Sequence, residues 1–196
     1  VEKPINIPVQ EDDSKDKDLL TMVKEYIKVK YNKLGNVYVG LVHRLDRPVG
    51  GIMVFAKTSK AASRLSEQMR VYYAVVEGIV KESDTLIDYL SKNTKTNTVY
   101  VDKNGKEAVL SYKRVKMINN LSLVDIELKT GRNHQIRVQF SSRGHYLLGD
   151  QRYGVLDNKQ ISLFSYYLSF THPVSNETLE FKVFPEKKNY WTIFTL

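Results

Sequence analysis

The segment His43-Arg44-Leu45-Asp46-Arg47-Pro48 sets one carboxylate between two arginines, just ahead of Gly50 and Gly51. Nearby cations favour an ionised carboxylate, so Asp46 is a candidate nucleophile. The same residues would equally make a turn closed by a surface ion pair. A second cluster runs Gly131-Arg132-Asn133-His134-Gln135-Ile136-Arg137. Residues 129–143 hold Lys129, Arg132, Arg137 and Arg143 and no acidic residue. On a helix, His134 and Arg137 stand three apart and share a face. The helix N-terminus would add N–H groups and positive potential, which suits a phosphate or carboxylate. A solvated basic helix face is the alternative. Tyr72 and Tyr73 are adjacent on a predicted strand and point to opposite faces, so one can line a cleft and the other the core. Periodicity leaves open which does which. No cysteine is present, and His43, His134, His145 and His172 fall in no short metal-ligand spacing. A metal centre is therefore not expected.

Elements must hold these residues in place. The helix pattern Leu19, Leu20, Val23, Tyr26, Ile27 predicts an amphipathic helix over about 17–30, after a polar opening loop over residues 1–18. A strand is expected from Val37 to His43. Ile52-Met53-Val54-Phe55-Ala56 is a continuous apolar run of strand length. Thr58 or Ser59 should cap a helix whose apolar face is Ala62, Leu65 and Met69. Strands are expected over Val71–Val80, over Val99–Val101 and Ala108–Met117 around a turn at Asn104-Gly105, and over Leu121–Leu128 after a turn at Asn119-Asn120. A short helix over about 133–143 should stop at Gly144. Ser162–Phe170 and Thr178–Phe184 form a last strand pair. The fold class is α+β, a mixed and largely antiparallel sheet with flanking helices and a central cleft. The 196 residues suit one domain, 1–196.

Bulk properties bear on the partner. The chain is 42% hydrophobic and 27% charged, which suits a folded globular protein. Its net charge is +8 and its pI is near 9.4, a balance that attracts polyanions, above all nucleic acid. No apolar run approaches the roughly 20 residues of a membrane helix, so a membrane partner is not expected. The absence of cysteine fits a reducing compartment. The chain begins at Val1 rather than at methionine, as expected if its natural start lies upstream.

Taken in order, the motifs resemble the RluA family of RNA pseudouridine synthases. His43-Arg44-Leu45-Asp46 followed by Gly51-Ile52-Met53-Val54-Phe55-Ala56-Lys57 is similar to that family's catalytic-aspartate motif. Tyr72-Tyr73-Ala74-Val75-Val76-Glu77-Gly78 is similar to its tyrosine motif, and Gly131 to Val138 to its basic motif. Leu147-Leu148-Gly149-Asp150 with Tyr153-Gly154, Leu168-Ser169-Phe170-Thr171-His172-Pro173, and the opening Glu2-Lys3-Pro4 extend the likeness over nearly the whole chain.

The resemblance implies the isomerisation of uridine to pseudouridine in ribosomal or transfer RNA, with no metal or organic cofactor. It makes Asp46 the nucleophile, Tyr72 the ring that packs on uracil and handles a proton, and Arg137 the ion-pair partner of Asp46. Tyr73 then becomes the core residue of its pair. Arg44 takes the position that helps open the RNA. Arg47, Lys57, Arg132 and His134 are expected to join it in contacting RNA. The small S4-type RNA-binding domain of many relatives is not among these residues. A monomer in the cytoplasm is the expectation.

Two departures stand out. Val49-Gly50 replace the Thr-Ser usual before Gly51, so the catalytic loop must be braced by other groups, Pro48 among the candidates. The helix ending Gln68-Met69-Arg70 runs directly into Val71-Tyr72, where relatives have several more residues, so a missing connection is expected there. A catalytically silent RNA-binding module of the same fold is the alternative function. A sugar-acting hydrolase ranks last, because it needs two facing carboxylates and only one is well placed.

Overall fold

The structure is a computed structural model that describes residues 1–65 and 67–194. Along the chain run β1 (Glu2–Lys3), α1 (Leu19–Lys30), β2 (Gly40–Leu41), β3 (Gly50–Ile52), β4 (Phe55–Ala56), α2 (Ser59–Arg64), β5 (Gln68–Glu77) and β6 (Ser83–Asn93). There follow β7 (Thr98–Val101), β8 (Lys106–Ile118), β9 (Leu121–Leu128), α3 (Gln135–Ser141), β10 (Leu163–Thr171), β11 (Thr178–Lys182) and a final 3-10 turn (Asn189–Thr192). The chain groups into two compact units, one of residues 1–69 and 167–183, the other of residues 70–166 and 184–196. The α+β class and the largely antiparallel pairing are as expected from the sequence.

In the first unit, α1 starts where expected because Asp18 caps it. The Asp18 carboxylate accepts from the Thr21 N–H at 3.0 Å and from its hydroxyl at 2.8 Å. Leu19 and Val23 are buried, while Lys28 and Lys30 sit in the last turn, where a cation complements the helix dipole. The opening residues are not all loop: Glu2 and Lys3 pair with Ile52 and Gly51. The apolar run 52–56 is not one strand. Its start pairs with β1 and its end with β2, through Gly40–Ala56 and Leu41–Phe55. Met53 and Val54 mark the change of partner: their N–H groups go to the Val1 carbonyl at 2.8 Å and the His43 Nε2 at 3.2 Å. The strand expected over 37–43 is correspondingly only Gly40–Leu41. β10 and β11 pair antiparallel from Tyr167–Lys182 to Thr171–Thr178.

Thr58 does cap α2, its hydroxyl accepting from the Ala61 N–H at 3.1 Å. The helix stops at Arg64, and Met69 belongs to β5 rather than to a helical face. β5 runs unbroken through Arg70 and Val71, so the missing connection expected there is not required. The linking residues are 65–67, of which Ser66 lies outside the described residues.

In the second unit, β5, β9, β8, β6 and β7 form an antiparallel sheet in that order. β6 alternates in burial but not in residue type: Ile87 and Tyr89 stand on the exposed side, and Asp88 lies on the inner side between the buried Leu86 and Leu90. It is absent from the sequence-based expectations for that reason. Both β7 and β8 pair with β6, so they do not form a hairpin around Asn104-Gly105. Asn119 and Asn120 both have positive φ, 48° and 61°, which is the backbone a two-residue hairpin turn needs. α3 packs Val138 against Leu90, Val99 and Ala108. Gln139 ties it to the sheet by donating to the Leu86 and Ala108 carbonyls, both at 3.2 Å, and to the Asp88 carboxylate at 2.8 Å. Among the described residues, no helix is long and apolar enough to cross a membrane.

Candidate active-site residues

Asp46 sits half-buried in a tight turn of the first unit, where its carbonyl accepts from the Val49 N–H at 2.9 Å. Leu45 and Val49 are buried on either side and anchor the turn to the core. Val49 thus replaces a possible hydroxyl brace with apolar packing. Polar bracing comes from Lys3, which is only 1% exposed. Its Nζ donates to the Pro4 carbonyl at 2.8 Å and to the Arg47 carbonyl at 3.0 Å, one residue past Asp46. Burial brings the Lys3 ammonium down to about 8; the charge of Asp46 opposes that fall and the charge of Arg47 adds to it. His43 braces the other side of the turn through the Val54 N–H.

The cations expected to meet RNA differ in their surroundings. Arg44 is exposed. Arg47 is turned onto the 12–16 loop, where it donates to Ser14 Oγ at 2.7 Å and to the Asp16 carboxylate, with Asp12 at 3.6 Å. Lys57 is exposed and donates to the Tyr31 hydroxyl at 2.7 Å.

In the second unit, Tyr72 is the more buried of the tyrosine pair, at 4% exposure. Tyr73, expected in the core, is only half-buried. It stacks on Tyr166 at 3.9 Å between ring centroids, with Phe184 beside it. The Tyr166 hydroxyl donates to Asp125 at 3.0 Å, and Asp125 is the residue opposite Tyr73 across the β5–β9 pair. A carboxylate on that face prevents it from closing into apolar core.

Arg137 is buried, so it is not part of a solvated basic helix face. Its Nε donates to Asp150 Oδ2 at 2.8 Å and its Nη2 to Asp150 Oδ1 at 2.7 Å. Burial would raise the Asp150 carboxyl, but the Arg137 bonds and charge, with the N–H groups of Arg152 and Tyr153, outweigh it and hold the carboxyl below its ordinary value. The Tyr153 ring lies against the guanidinium, 5.1 Å from centroid to carbon. The Tyr153 hydroxyl accepts from the Val99 N–H at 2.8 Å and meets His134 Nδ1 at 2.7 Å. His134 stands at the start of α3 with φ of 50° and makes no side-chain cap bond. Tyr153 therefore connects the two residues that helical spacing had placed together. The other cations of this cluster also have partners within the unit. Arg132 donates to the Glu107 carbonyl at 2.7 Å, Lys129 pairs with Glu127 at 2.5 Å, and Arg143 pairs with Asp88 at 2.8 Å.

Sequence alone gives Lys3, Asp150 and Tyr153 no role. The only signal was their place within motifs of the resemblance. Spacing carries no sign that a lysine between a glutamate and a proline is buried. Among the described residues, no group of three or more His, Cys, Asp or Glu side chains is arranged to hold a metal ion.

Residues 1–142 match the family model described as RNA pseudouridylate synthase. Over 162 residues the chain is 35% identical to ribosomal large subunit pseudouridine synthase D of Zymomonas mobilis, covering 72% of this chain and 51% of that protein. Over 205 residues it is 32% identical to an uncharacterized RNA pseudouridine synthase of Aquifex aeolicus, covering 93% of this chain and 65% of that protein. The chain thus spans about half to two thirds of the length of these relatives. The solved structure of human RNA pseudouridylate synthase domain containing 1 shares the fold, with a TM-score of 0.73 at 20% identity, covering 95% of this chain and 78% of that one.

Proposed function

The chain belongs to the RNA pseudouridylate synthase family, and on that premise we propose that it converts uridine to pseudouridine in RNA with Asp46 as nucleophile. The observation that carries this reading is that the family match over residues 1–142 takes in Asp46, Tyr72 and Arg137 together. In the proposed reaction Asp46 attacks the ribose or the base, and the N1–C1′ bond breaks. The uracil turns, C5 bonds to C1′ and loses its proton, N1 gains one, and the bond to Asp46 breaks to return the free carboxylate. Tyr72 packs on the uracil and handles a proton. Arg137 pairs with Asp46, keeping the carboxylate ionised and aimed, whereas an isolated buried carboxylate would take up a proton. The bidentate hold of Asp150 on Arg137 supports this role, because it fixes the plane of the guanidinium.

The uridine must leave its stack before Asp46 can reach it, at a cost of about a few kcal/mol. Arg44 is assigned to opening the RNA, with Arg47, Lys57, Arg132 and His134 as further contacts. Arg44, Lys57 and Arg132 fit that task best, being exposed. Ribosomal and transfer RNA are both candidate substrates, and the similarity to enzymes named for the large ribosomal subunit favours ribosomal RNA. We place the activity in the cytoplasm, in one catalytic domain of residues 1–196 that works as a monomer without metal or organic cofactor.

The test is Asp46→Asn. It should bind RNA as the parent protein does and form no pseudouridine. Near-normal turnover in that variant would sink the nucleophile assignment. RNA binding without turnover by the parent protein would instead favour the silent binding module.

A further inference from the structure

The first unit carries a basic and aromatic surface from which the proposed reaction draws only Lys57, as an RNA contact. From Tyr26 to Leu45 the sequence has no acidic residue, and it interleaves Tyr26, Tyr31 and Tyr38 with Lys28, Lys30 and Lys33. Residues 28–36 are exposed without a break. The one acid just before them, Glu25, is taken up by Lys17 at 2.5 Å. At the end of α1 the cations lie at the tyrosine hydroxyls, Lys30 donating to Tyr26 at 3.0 Å and Lys57 to Tyr31 at 2.7 Å. Lys30 Nζ lies 5.3 Å from the Tyr26 centroid and 5.9 Å from that of Tyr31. Lys57 Nζ lies 4.6 Å from the Tyr31 centroid. These four side chains rim an open cavity of about 250 Å³ whose walls include Ile27, Ile52 and Phe170. Among the described residues, its lining holds two lysines and no carboxylate.

We infer that this surface binds an unpaired nucleotide of the RNA substrate, other than the one that is modified. A flat apolar body carrying a negative charge is what the site complements: the base enters the apolar cavity against Tyr31, and the phosphate meets Lys30 and Lys57. The cavity is smaller than the roughly 300–1,000 Å³ of pockets that enclose drug-sized ligands, and it has room for one base. A duplex cannot use it, because paired bases present no free ring face. Aromatic faces beside backbone-tracking cations are the arrangement by which proteins hold single strands with little sequence preference. The inference rests on the proposal that RNA is the substrate.

The test measures binding of a short fluorescein-labelled oligouridylate to the full chain by anisotropy, beside a labelled RNA duplex. The variants are Tyr31→Leu and Lys57→Gln. Both side chains are exposed, so folding should survive, and thermal melting checks that it does. Tyr31→Leu should raise Kd for the single strand by roughly 5- to 150-fold, the usual effect of losing one stacked base. Lys57→Gln should reduce the slope of log affinity against log salt by about 0.7, the share of one phosphate contact on a single strand. A 4-thiouridine oligonucleotide should photo-cross-link to the peptide containing Tyr31. Unchanged single-strand affinity in both folded variants overturns the inference. So does equal weakening of duplex and single strand, because the cations would then act as bulk charge. If the parent protein binds the single strand through this surface but forms no pseudouridine, the catalytic reading falls and the surface stands. If both variants bind normally and pseudouridine is made, the reverse holds.

Discussion

Arg137 and Asp150 meet through two parallel hydrogen bonds, Nε to Oδ2 at 2.8 Å and Nη2 to Oδ1 at 2.7 Å, with 6% and 1% of the side chains exposed. Asp150 is itself held by the N–H groups of Arg152 at 2.9 Å and Tyr153 at 3.1 Å. The carboxylate is thus fixed by a turn of backbone before it fixes the guanidinium. Asp150→Asn keeps the shape and removes the charge. Removing one partner of a buried pair costs about 3–5 kcal/mol, and urea denaturation at neutral pH should show a loss of that order. The folded-state pKa of Asp150 is depressed, so its stabilisation is present above the ordinary carboxyl range and is lost as pH falls through the folded value. The gap between parent and variant should therefore close in acid. A gap that persists unchanged at low pH would show that the pair is not its source.

Lys3 makes the opposite prediction in alkali. Its pKa is about 8 in the folded chain against an ordinary 10.5, because burial penalises the ammonium. That penalty is complete below about pH 8 and is relieved as pH rises towards 10.5, by about 3 kcal/mol in all. Lys3→Met should remove this rise from the stability-against-pH curve. It should also free the Arg47 carbonyl, and if Asp46 is the nucleophile, turnover should fall by up to about 100-fold through loss of alignment. Single-turnover assays with denaturation curves at several pH values separate the two effects.

Tyr153 touches the cluster with its ring and with its hydroxyl, and two substitutions divide these contacts. Tyr153→Phe keeps the ring beside Arg137 but leaves the Val99 N–H without its acceptor, at a cost of about 1–3 kcal/mol. Tyr153→Leu also loses the ring contact to the guanidinium and should be the less active of the two. Equal activity in both variants would show that the ring does not help to hold Arg137.

Two glycines with similar backbones should respond differently to alanine. Gly144 has φ of +78° and open space where a Cβ would lie, so Gly144→Ala should cost about 1–2 kcal/mol from backbone strain alone. Gly149 has φ of +74°, and a Cβ there would come 2.2 Å from the Gln160 carbonyl oxygen. Gly149→Ala should cost about 3 kcal/mol or more, and it would disturb the turn that carries Asp150. Denaturation midpoints of the two variants check the order.

The sequence by itself supplied the candidate reactive residues and determined most of the local elements. Thr58 announces a helix start through a side chain that caps its own backbone, and Asn119-Asn120 announces a hairpin through residues that tolerate positive φ. Those signals are local, so they survive without a tertiary structure. The family likeness followed from motif order, which also needs no coordinates. What only the tertiary structure decided depends on partners distant in sequence. The apolar run 52–56 reads as one strand, yet it breaks at Met53 because β1 claims one end and β2 the other. β6 was hidden because its exposed side carries Ile87 and Tyr89 and its inner side Asp84 and Asp88, so residue type does not follow the alternation of burial. Lys3, Asp150 and Tyr153 gained their roles through burial and through contacts to residues far along the chain. A lysine or an aspartate has the same appearance in sequence whether water or a buried arginine surrounds it. The energy that separates those two cases comes from desolvation, and desolvation is fixed only when the chain has folded.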